Sequence, residues 1–193
     1  MKTIFEEGFF DAYAGVKLDE ARSDIPITHS QYGYRQTTVF ISHKHDDLES
    51  LKGLLGFLEW NYDVKVYIDS KDPQMPKVTS AETAKNIKDR IKQCDKFILL
   101  ATNGAVESKW CNWELGYGDA QKYKSHIALF PLKPKGASDN AYKGNEYMGL
   151  YPHIIYCYGT EVYNDGAPVN KGYYVYDQEQ TVVTPLDRWR VKR

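Results

Sequence analysis

Cysteine, net charge and long apolar runs are all scarce in this chain. Its 193 residues include 3 cysteines, Cys94, Cys111 and Cys157, with neither a CxxC pair nor the Cys/His spacing of a zinc site. This pattern is not that of a disulfide scaffold, and it is typical of a reducing compartment. No segment approaches the roughly 18 consecutive apolar residues that a membrane-spanning helix needs, so we expect no membrane association.

Positive and negative charges nearly balance each other, and the formal net charge is -1. Without a basic excess there is little electrostatic attraction for nucleic acid or an anionic membrane, and the short basic tail, residues 188–193, does not change this. The first seven residues turn acidic before any apolar run, unlike a signal peptide, so we expect a cytoplasmic protein. A GxxxxGK phosphate loop is missing too, which argues against NTPase chemistry.

The chain does contain apolar runs that alternate with segments of helical character. A content of 42% apolar and 26% charged residues is ordinary for a globular domain with a buried core. Helical spacing of apolar residues predicts helices near 46–60 and 79–94, and we expect a third helix over about 108–122. Runs without polar alternation are typical of strands buried on both faces; they occupy residues 37–42, 64–69, 96–101, 126–131 and 152–157.

Strands that alternate with helices form parallel sheets with right-handed crossovers. We therefore predict an α/β fold with a flavodoxin-like five-stranded parallel sheet, for which the order 2-1-3-4-5 is suited. Two later runs, near 172–176 and 181–183, predict a hairpin. The predicted organisation is an N-terminal extension (1–36), a central domain (37–160) and a C-terminal β-hairpin extension (161–193).

Capping residues predict where three of the helices begin. Asp46 is the expected cap of the first helix. Thr79 and Glu82 have the spacing of a capping box, and Ser108 is a plausible N-cap of the third helix.

Ligands of such sheets bind at the carboxyl ends of the strands, where the strand order reverses. In the predicted order this point lies between the first and third strands. The first strand ends at Ser42, followed by His43 and Lys44, and the third leads through Asn103 to the next helix. Asp69 begins a long Lys- and Pro-rich loop, residues 69–77, which we expect to lie on the same edge as a lid.

The helix after the third strand carries an acid between aromatic residues, in the run Trp110-Cys111-Asn112-Trp113-Glu114. Trp110 precedes Glu114 by four residues, so the two share a helix face. An acid beside an aromatic plate can hold a sugar and stack a ring. We expect Trp110 to line a site and Trp113 to lie in the core.

Two further hypotheses, a metal site and a thiol nucleophile, have weaker support. His43 and His45 flank Lys44, but so short a spacing is poor evidence for a metal site, and we predict none. Cys111 has no histidine partner placed by the sequence, so core packing is favoured over a thiol nucleophile.

The blocks at residues 39–43 (VFISH), 66–69 (VYID) and 110–115 (WCNWEL), with the proline-containing loop, resemble the motifs of TIR domains in order and spacing. The resemblance covers about 37–159 and is greatest to the TIR component of Thoeris antiphage systems. It implies NAD+ as substrate, with no other cofactor, and Glu114 as the catalytic glutamate. It also implies a cyclic ADP-ribose-type signal for a separate effector, a phage-derived trigger, and self-association in which a neighbouring subunit supplies the lid loop.

One acid can suffice for this reaction. Glycosidases normally need a second carboxyl group to protonate the leaving group, but the nicotinamide of NAD+ is a cationic pyridinium that departs neutral. Glu114 would stabilise the oxocarbenium-like ribose and orient its hydroxyls, with Trp110 against the nicotinamide or ribose. Ser42, His43 and Lys44 would lie near the diphosphate or a ribose. Asp69 and Asn103 are the remaining candidate substrate contacts.

Two other function classes are alternatives to the enzyme. A TIR domain can be a non-catalytic interaction module that uses the 69–77 loop, although such adaptors commonly lack the helix glutamate. A receiver domain needs an aspartate at the end of the third strand, where this chain has Thr102 and Asn103, and the loop after the first strand lacks the FMN-phosphate pattern of a flavodoxin. Whether the product is linear, cyclic or conjugated to an amino acid is left open by the sequence.

Overall fold

A twisted sheet forms the centre of the computed structural model, which describes residues 1–15, 36–68, 80–144, 146–163 and 165–191. Within these ranges the sheet has eight strands: β1 (Phe5–Glu6), β2 (Thr37–Ser42), β3 (Val64–Tyr67), β4 (Lys96–Ala101), β5 (Ile127–Lys133), β6 (His153–Cys157), β7 (Gly172–Asp177) and β8 (Val182–Pro185). The helices are α1 (Leu48–Tyr62), α2 (Ala81–Gln93), α3 (Asn103–Glu107), α4 (Lys109–Gln121) and α5 (Leu186–Val191).

The predicted strand order is confirmed. The parallel strands follow one another as β3-β2-β4-β5-β6, which is the order 2-1-3-4-5 of the five strands read from the sequence. The order reverses between β2 and β4, where Ser42 lies beside Leu99. The sheet has three more strands than predicted, because β1, β7 and β8 join it.

Burial explains why the strands could be read from apolar runs. Every residue of β2, β4 and β5 is buried, since helices cover both faces of a parallel sheet. Alternate side chains divide between two cores. Val39 and Ile41 pack toward α1 and α5, in what we call the α1-side core, whereas Phe40 packs toward α2, α3 and α4, in the α4-side core.

The C-terminal hairpin was predicted and is confirmed: β7 runs antiparallel to both β6 and β8. Helix α5, which overlaps the segment interpreted as a basic tail, was not predicted. Two of its residues, Leu186 and Trp189, are buried in the α1-side core, and Trp189 donates its indole N–H to the Ser125 carbonyl at 2.7 Å.

The described part of the predicted N-terminal extension packs into the central core. Phe5 is fully buried and stacks on Phe130 with ring centroids 4.8 Å apart, and β1 pairs in parallel with the end of β5. Residues 1–15 therefore contribute to the same core as the central sheet.

Two predicted helix caps differ from the structure. Ser80 caps α2 and exchanges hydrogen bonds with Thr83 in a capping box, one residue later than the predicted pair Thr79 and Glu82; Thr79 itself lies outside the described residues. Asp47, not Asp46, occupies the N-cap position of α1, without a side-chain capping bond, since a 3-10 turn (His45–Asp47) precedes the helix. The Asp46 carboxylate pairs with Lys44. Among the helices of the described ranges, none is long and apolar enough to span a membrane.

Candidate active site

Glu114 lies in the second turn of α4, with its side chain directed into the protein. The residue is 1% exposed, and its Oε2 atom accepts a hydrogen bond from the Ser42 hydroxyl, with 2.5 Å between the oxygens. Ser42 is the fully buried last residue of β2. The predicted meeting of the first strand with the Trp/Glu helix is therefore present in the structure. Burying a charged carboxylate is costly unless polar groups contact it, and the Ser42 hydroxyl is one such group.

Neighbouring residues of α4 explain why Glu114 faces inward. The predicted cap is confirmed, since the Ser108 side chain accepts a hydrogen bond from the Cys111 N–H at 3.3 Å. Cys111 and Leu115 are each 1% exposed and pack in the α4-side core, which confirms the predicted core role of Cys111. Because Cys111 and Leu115 flank Glu114 on the inner face of the helix, their burial carries the carboxylate toward the end of β2.

His43 and Lys44 continue the chain from Ser42 along the carboxyl edge of the sheet. His43 is buried, with its Nδ1 3.4 Å from the Ile41 carbonyl oxygen. Lys44 is partly exposed and pairs with Asp46 at 2.9 Å. Hydrogen bonding to Asp46 raises the pKa of Lys44 and, reciprocally, Lys44 lowers the pKa of Asp46. Lys44 is therefore a persistent cation at this edge, as a diphosphate contact requires; contact with substrate stays a prediction for both residues.

A second carboxylate at this edge, Asp47, was not predicted as part of the site. Its Oδ2 accepts a hydrogen bond from the Thr102 hydroxyl at 2.6 Å. Burial raises the pKa of Asp47, and the hydrogen bond from Thr102 opposes that rise. The bond joins residues 55 positions apart, and no sequence spacing marks such a pair.

The tryptophans of α4 do not divide between core and site as predicted. Trp110 and Trp113 are both half-buried and stack on each other, with centroids 4.8 Å apart and 25° between the rings. The row continues to Tyr117, 6.1 Å from Trp113. The expectation that Trp113 lies in the core while Trp110 does not was wrong, because residues three apart on a helix share a face. That Trp110 lines the site stays a prediction.

Asn103 lies at the predicted edge, and its amide holds another segment of the protein. Its Nδ2 donates to the Ala141 carbonyl, and its Oδ1 accepts from the Lys143 N–H, each at 2.8 Å. Contact of Asn103 with substrate is not tested by these bonds and stays a prediction. Asp69 and the 69–77 loop lie outside the described residues.

No metal ion takes part in the chemistry predicted for this site. Across the described ranges, no group of three or more His, Cys, Asp or Glu side chains could hold a metal ion.

A family model described as "TIR domain" matches residues 39–152. A Bacillus cereus (strain MSX-D12) protein named "Probable 3' cyclic ADP-D-ribose synthase ThsB'" is 36% identical over 118 residues. That match covers 60% of this chain and 59% of the relative, so the chain spans less than two thirds of the relative's length. A solved structure, "Crystal Structure of a prokaryotic SEFIR domain", is similar with a TM-score of 0.46 and 16% identity, covering 64% of this chain and 83% of that chain.

Proposed function

This chain belongs to the TIR domain family, and on that premise we propose that it cleaves NAD+ at the nicotinamide–ribose bond and makes a cyclic ADP-ribose-type nucleotide. The observation that carries the proposal is the buried Glu114 carboxylate, which accepts the Ser42 hydroxyl at the point where the strand order reverses. The relative named as a cyclic ADP-ribose synthase supports the same reaction class.

The proposed chemistry uses Glu114 as an electrostatic stabiliser. The bond between the anomeric carbon and the pyridinium nitrogen breaks, and its electron pair leaves with neutral nicotinamide. Positive charge then develops on the ribose, where a fixed carboxylate lowers the barrier most. The Ser42 hydroxyl holds one oxygen of that carboxylate, so little reorganisation is needed as the charge appears.

The fate of the ribosyl cation decides the product. Attack by water gives ADP-ribose, whereas attack by a group of the same nucleotide gives a cyclic product. Cyclisation requires that water be kept out, and we propose that the 69–77 loop, supplied by a neighbouring copy through TIR–TIR contacts, does this. We further propose a cytoplasmic role in antiphage defence, in which a phage-derived trigger starts synthesis and the nucleotide activates a separate effector.

The proposal is tested by incubating concentrated protein with NAD+ and identifying the products by mass spectrometry and NMR. The wild-type protein should release nicotinamide and form an ADP-ribose-type nucleotide, with the cyclic form lighter than ADP-ribose by one water. The Glu114→Gln variant should leave NAD+ intact while keeping its circular dichroism spectrum. Unchanged NAD+ with the wild-type protein, together with no new nucleotide in phage-infected cells, would contradict the proposal and favour a non-catalytic interaction module.

A further inference from the structure

Two consecutive residues at the start of α3 bind the segments on either side of it. Thr102 is the N-cap of α3, and its Oγ1 accepts a hydrogen bond from the Ala105 N–H at 3.0 Å. The same hydroxyl donates to Asp47 in the loop after β2, at 2.6 Å. One buried hydroxyl therefore caps a helix and ties it to the neighbouring loop.

Asn103 does the same on the other side of α3. Its amide nitrogen donates to Ala141 and its amide oxygen accepts from the Lys143 N–H, so both polar ends bind the backbone of the β5–β6 connection. An ion pair between Lys143 and Glu107, at 2.9 Å, joins the same connection to the last residue of α3. Thr102 and Asn103 thus fix α3 to both flanking loops.

The hydrogen bonds of Thr102 and Asn103 can influence the position of Glu114, because α3 is closely joined to α4. A single residue, Ser108, separates the two helices, and the Asn112 amide donates to the Val106 carbonyl at 3.0 Å. The loop after β2 follows directly on Ser42, the last residue of the strand, which donates to Glu114. The bonds Ser42–Glu114 and Asp47–Thr102 therefore cross-link the same two segments at two points.

We infer that Thr102 and Asn103 are positioning residues for the Glu114 carboxylate, acting through the loop after β2 and through the helix pair α3 and α4. The Thr102 hydroxyl donates its proton to Asp47 and accepts the Ala105 N–H, so it acts through Asp47 rather than on a ligand. The kinetic part of this inference rests on the proposed function, and the structural part does not. A catalytic group must be held to within fractions of an ångström, so the reaction slows when the hydrogen bonds that hold it are removed.

The chain offers a matched control for Thr102. Thr38 donates its hydroxyl to the Asp95 carboxylate at 2.8 Å and accepts the Asp95 N–H at 3.0 Å. This is the same kind of Thr–Asp contact, at the amino end of β2 instead of its carboxyl end. Thr102→Val and Thr38→Val should therefore lower the melting temperature by similar amounts, and only the first should disturb the site.

Steady-state NAD+ cleavage by the variants tests the inference. Thr102→Val should lower kcat by about tenfold or more while KM changes by less than about threefold, since a misplaced catalytic group affects the chemical step. Asn103→Ala should show the same split. Thr102→Ser, which keeps the hydroxyl, should restore most of kcat. Equal kcat values for Thr102→Val and Thr38→Val would overturn the inference.

Failure of the proposed function gives a different pattern. If the wild-type protein itself leaves NAD+ intact, the proposed function fails, and hydrogen exchange then decides the structural claim. Backbone amides of residues 109–115 should exchange faster in Thr102→Val than in Thr38→Val. Equal exchange in this segment would overturn the positioning role even without an enzymatic assay.

Discussion

At the scale of single residues, the site depends on how a carboxylate is held away from water. Glu114 is buried beside Ser42, whose hydroxyl donates to it. Hydrogen bonds to a charged group are worth about 1.5–3 kcal/mol, and losing one leaves the charge poorly solvated. Ser42 therefore contributes to both the stability of the fold and the direction in which the carboxylate points.

Replacing Ser42 by alanine should expose both contributions. We expect Ser42→Ala to lower the free energy of unfolding by about 1–3 kcal/mol, the cost of removing a hydrogen-bond donor from a buried carboxylate. We also expect a fall in kcat/KM for NAD+ of roughly tenfold or more, because stabilisation of the transition state weakens. Urea unfolding and nicotinamide release measure the two effects.

An exposed serine, Ser125, provides the control, and its Ser125→Ala variant should match the wild-type protein in both assays. Full activity in Ser42→Ala would show that the bond to Glu114 has no part in the reaction.

Not every residue of the site could be read from the sequence. The positions of Ser42 and Glu114 could be predicted, because one ends an apolar strand and the other lies in a helix at the same sheet edge. The Asp47–Thr102 bond could not, since it depends on how two loops pack after the sheet has formed. The stacking of Trp110 on Trp113 could have been predicted from their helical spacing alone, but the prediction placed Trp113 in the core.

At the scale of helices and strands, length decided what could be predicted. The long helices α1 and α2 carry a periodic pattern, and α4 was marked by its cap Ser108. In contrast, α3 has five residues and α5 six, too few for periodicity to show. The bond network of Thr102 and Asn103 forms around α3, so the element that joins the parts of the site was among those without a sequence signal.

Two helical glycines allow a test of how α1 packs. A Cβ atom at Gly53 in α1 would lie 2.6 Å from the Phe10 carbonyl oxygen, whereas one at Gly116 in α4 would meet nothing within 4 Å. Alanine gains about 0.5–1 kcal/mol over glycine in a helix, so Gly116→Ala should be stabilising by about that amount. Gly53→Ala should instead be destabilising by about 1–3 kcal/mol, because the N-terminal segment must move away.

Chemical denaturation of the two glycine variants measures the difference directly. If Gly53→Ala were as stable as Gly116→Ala, the close packing of residues 1–15 on α1 would be refuted.

At the scale of the whole molecule, the described terminal segments are integrated into the sheet. Phe5 and Trp189 lie in the α1-side core, and β7 extends the sheet from β6. His153 at the start of β6 connects this extension to the central sheet, with Nδ1 2.9 Å from the Gln178 amide nitrogen and Nε2 3.3 Å from the Met148 carbonyl oxygen.

His153 should make the stability of the protein depend on pH. Burial lowers the pKa of His153 below its ordinary value of 6.5, so the unfolded chain binds this proton more readily than the folded one. The contribution is fully present above pH 6.5 and is lost as the pH falls through the lower folded pKa. We expect the free energy of unfolding to decrease between pH 7.5 and 5.5, and to decrease less in His153→Gln.

The exposed His45 serves as the control for this pH dependence. Urea unfolding of His45→Gln should show the same decrease with pH as the wild-type protein. An identical pH dependence in His153→Gln and wild type would assign the effect to other groups.

Release of nicotinamide from NAD+, followed by NMR, tests the central claim most directly. Wild-type protein, Glu114→Gln and Glu49→Gln are compared at one high concentration; Glu49 is an exposed glutamate of α1, on the opposite face of the sheet. We predict that wild type and Glu49→Gln release nicotinamide at similar rates and that Glu114→Gln releases none while remaining folded. Release by Glu114→Gln at the wild-type rate would contradict the assignment of the reaction to this carboxylate.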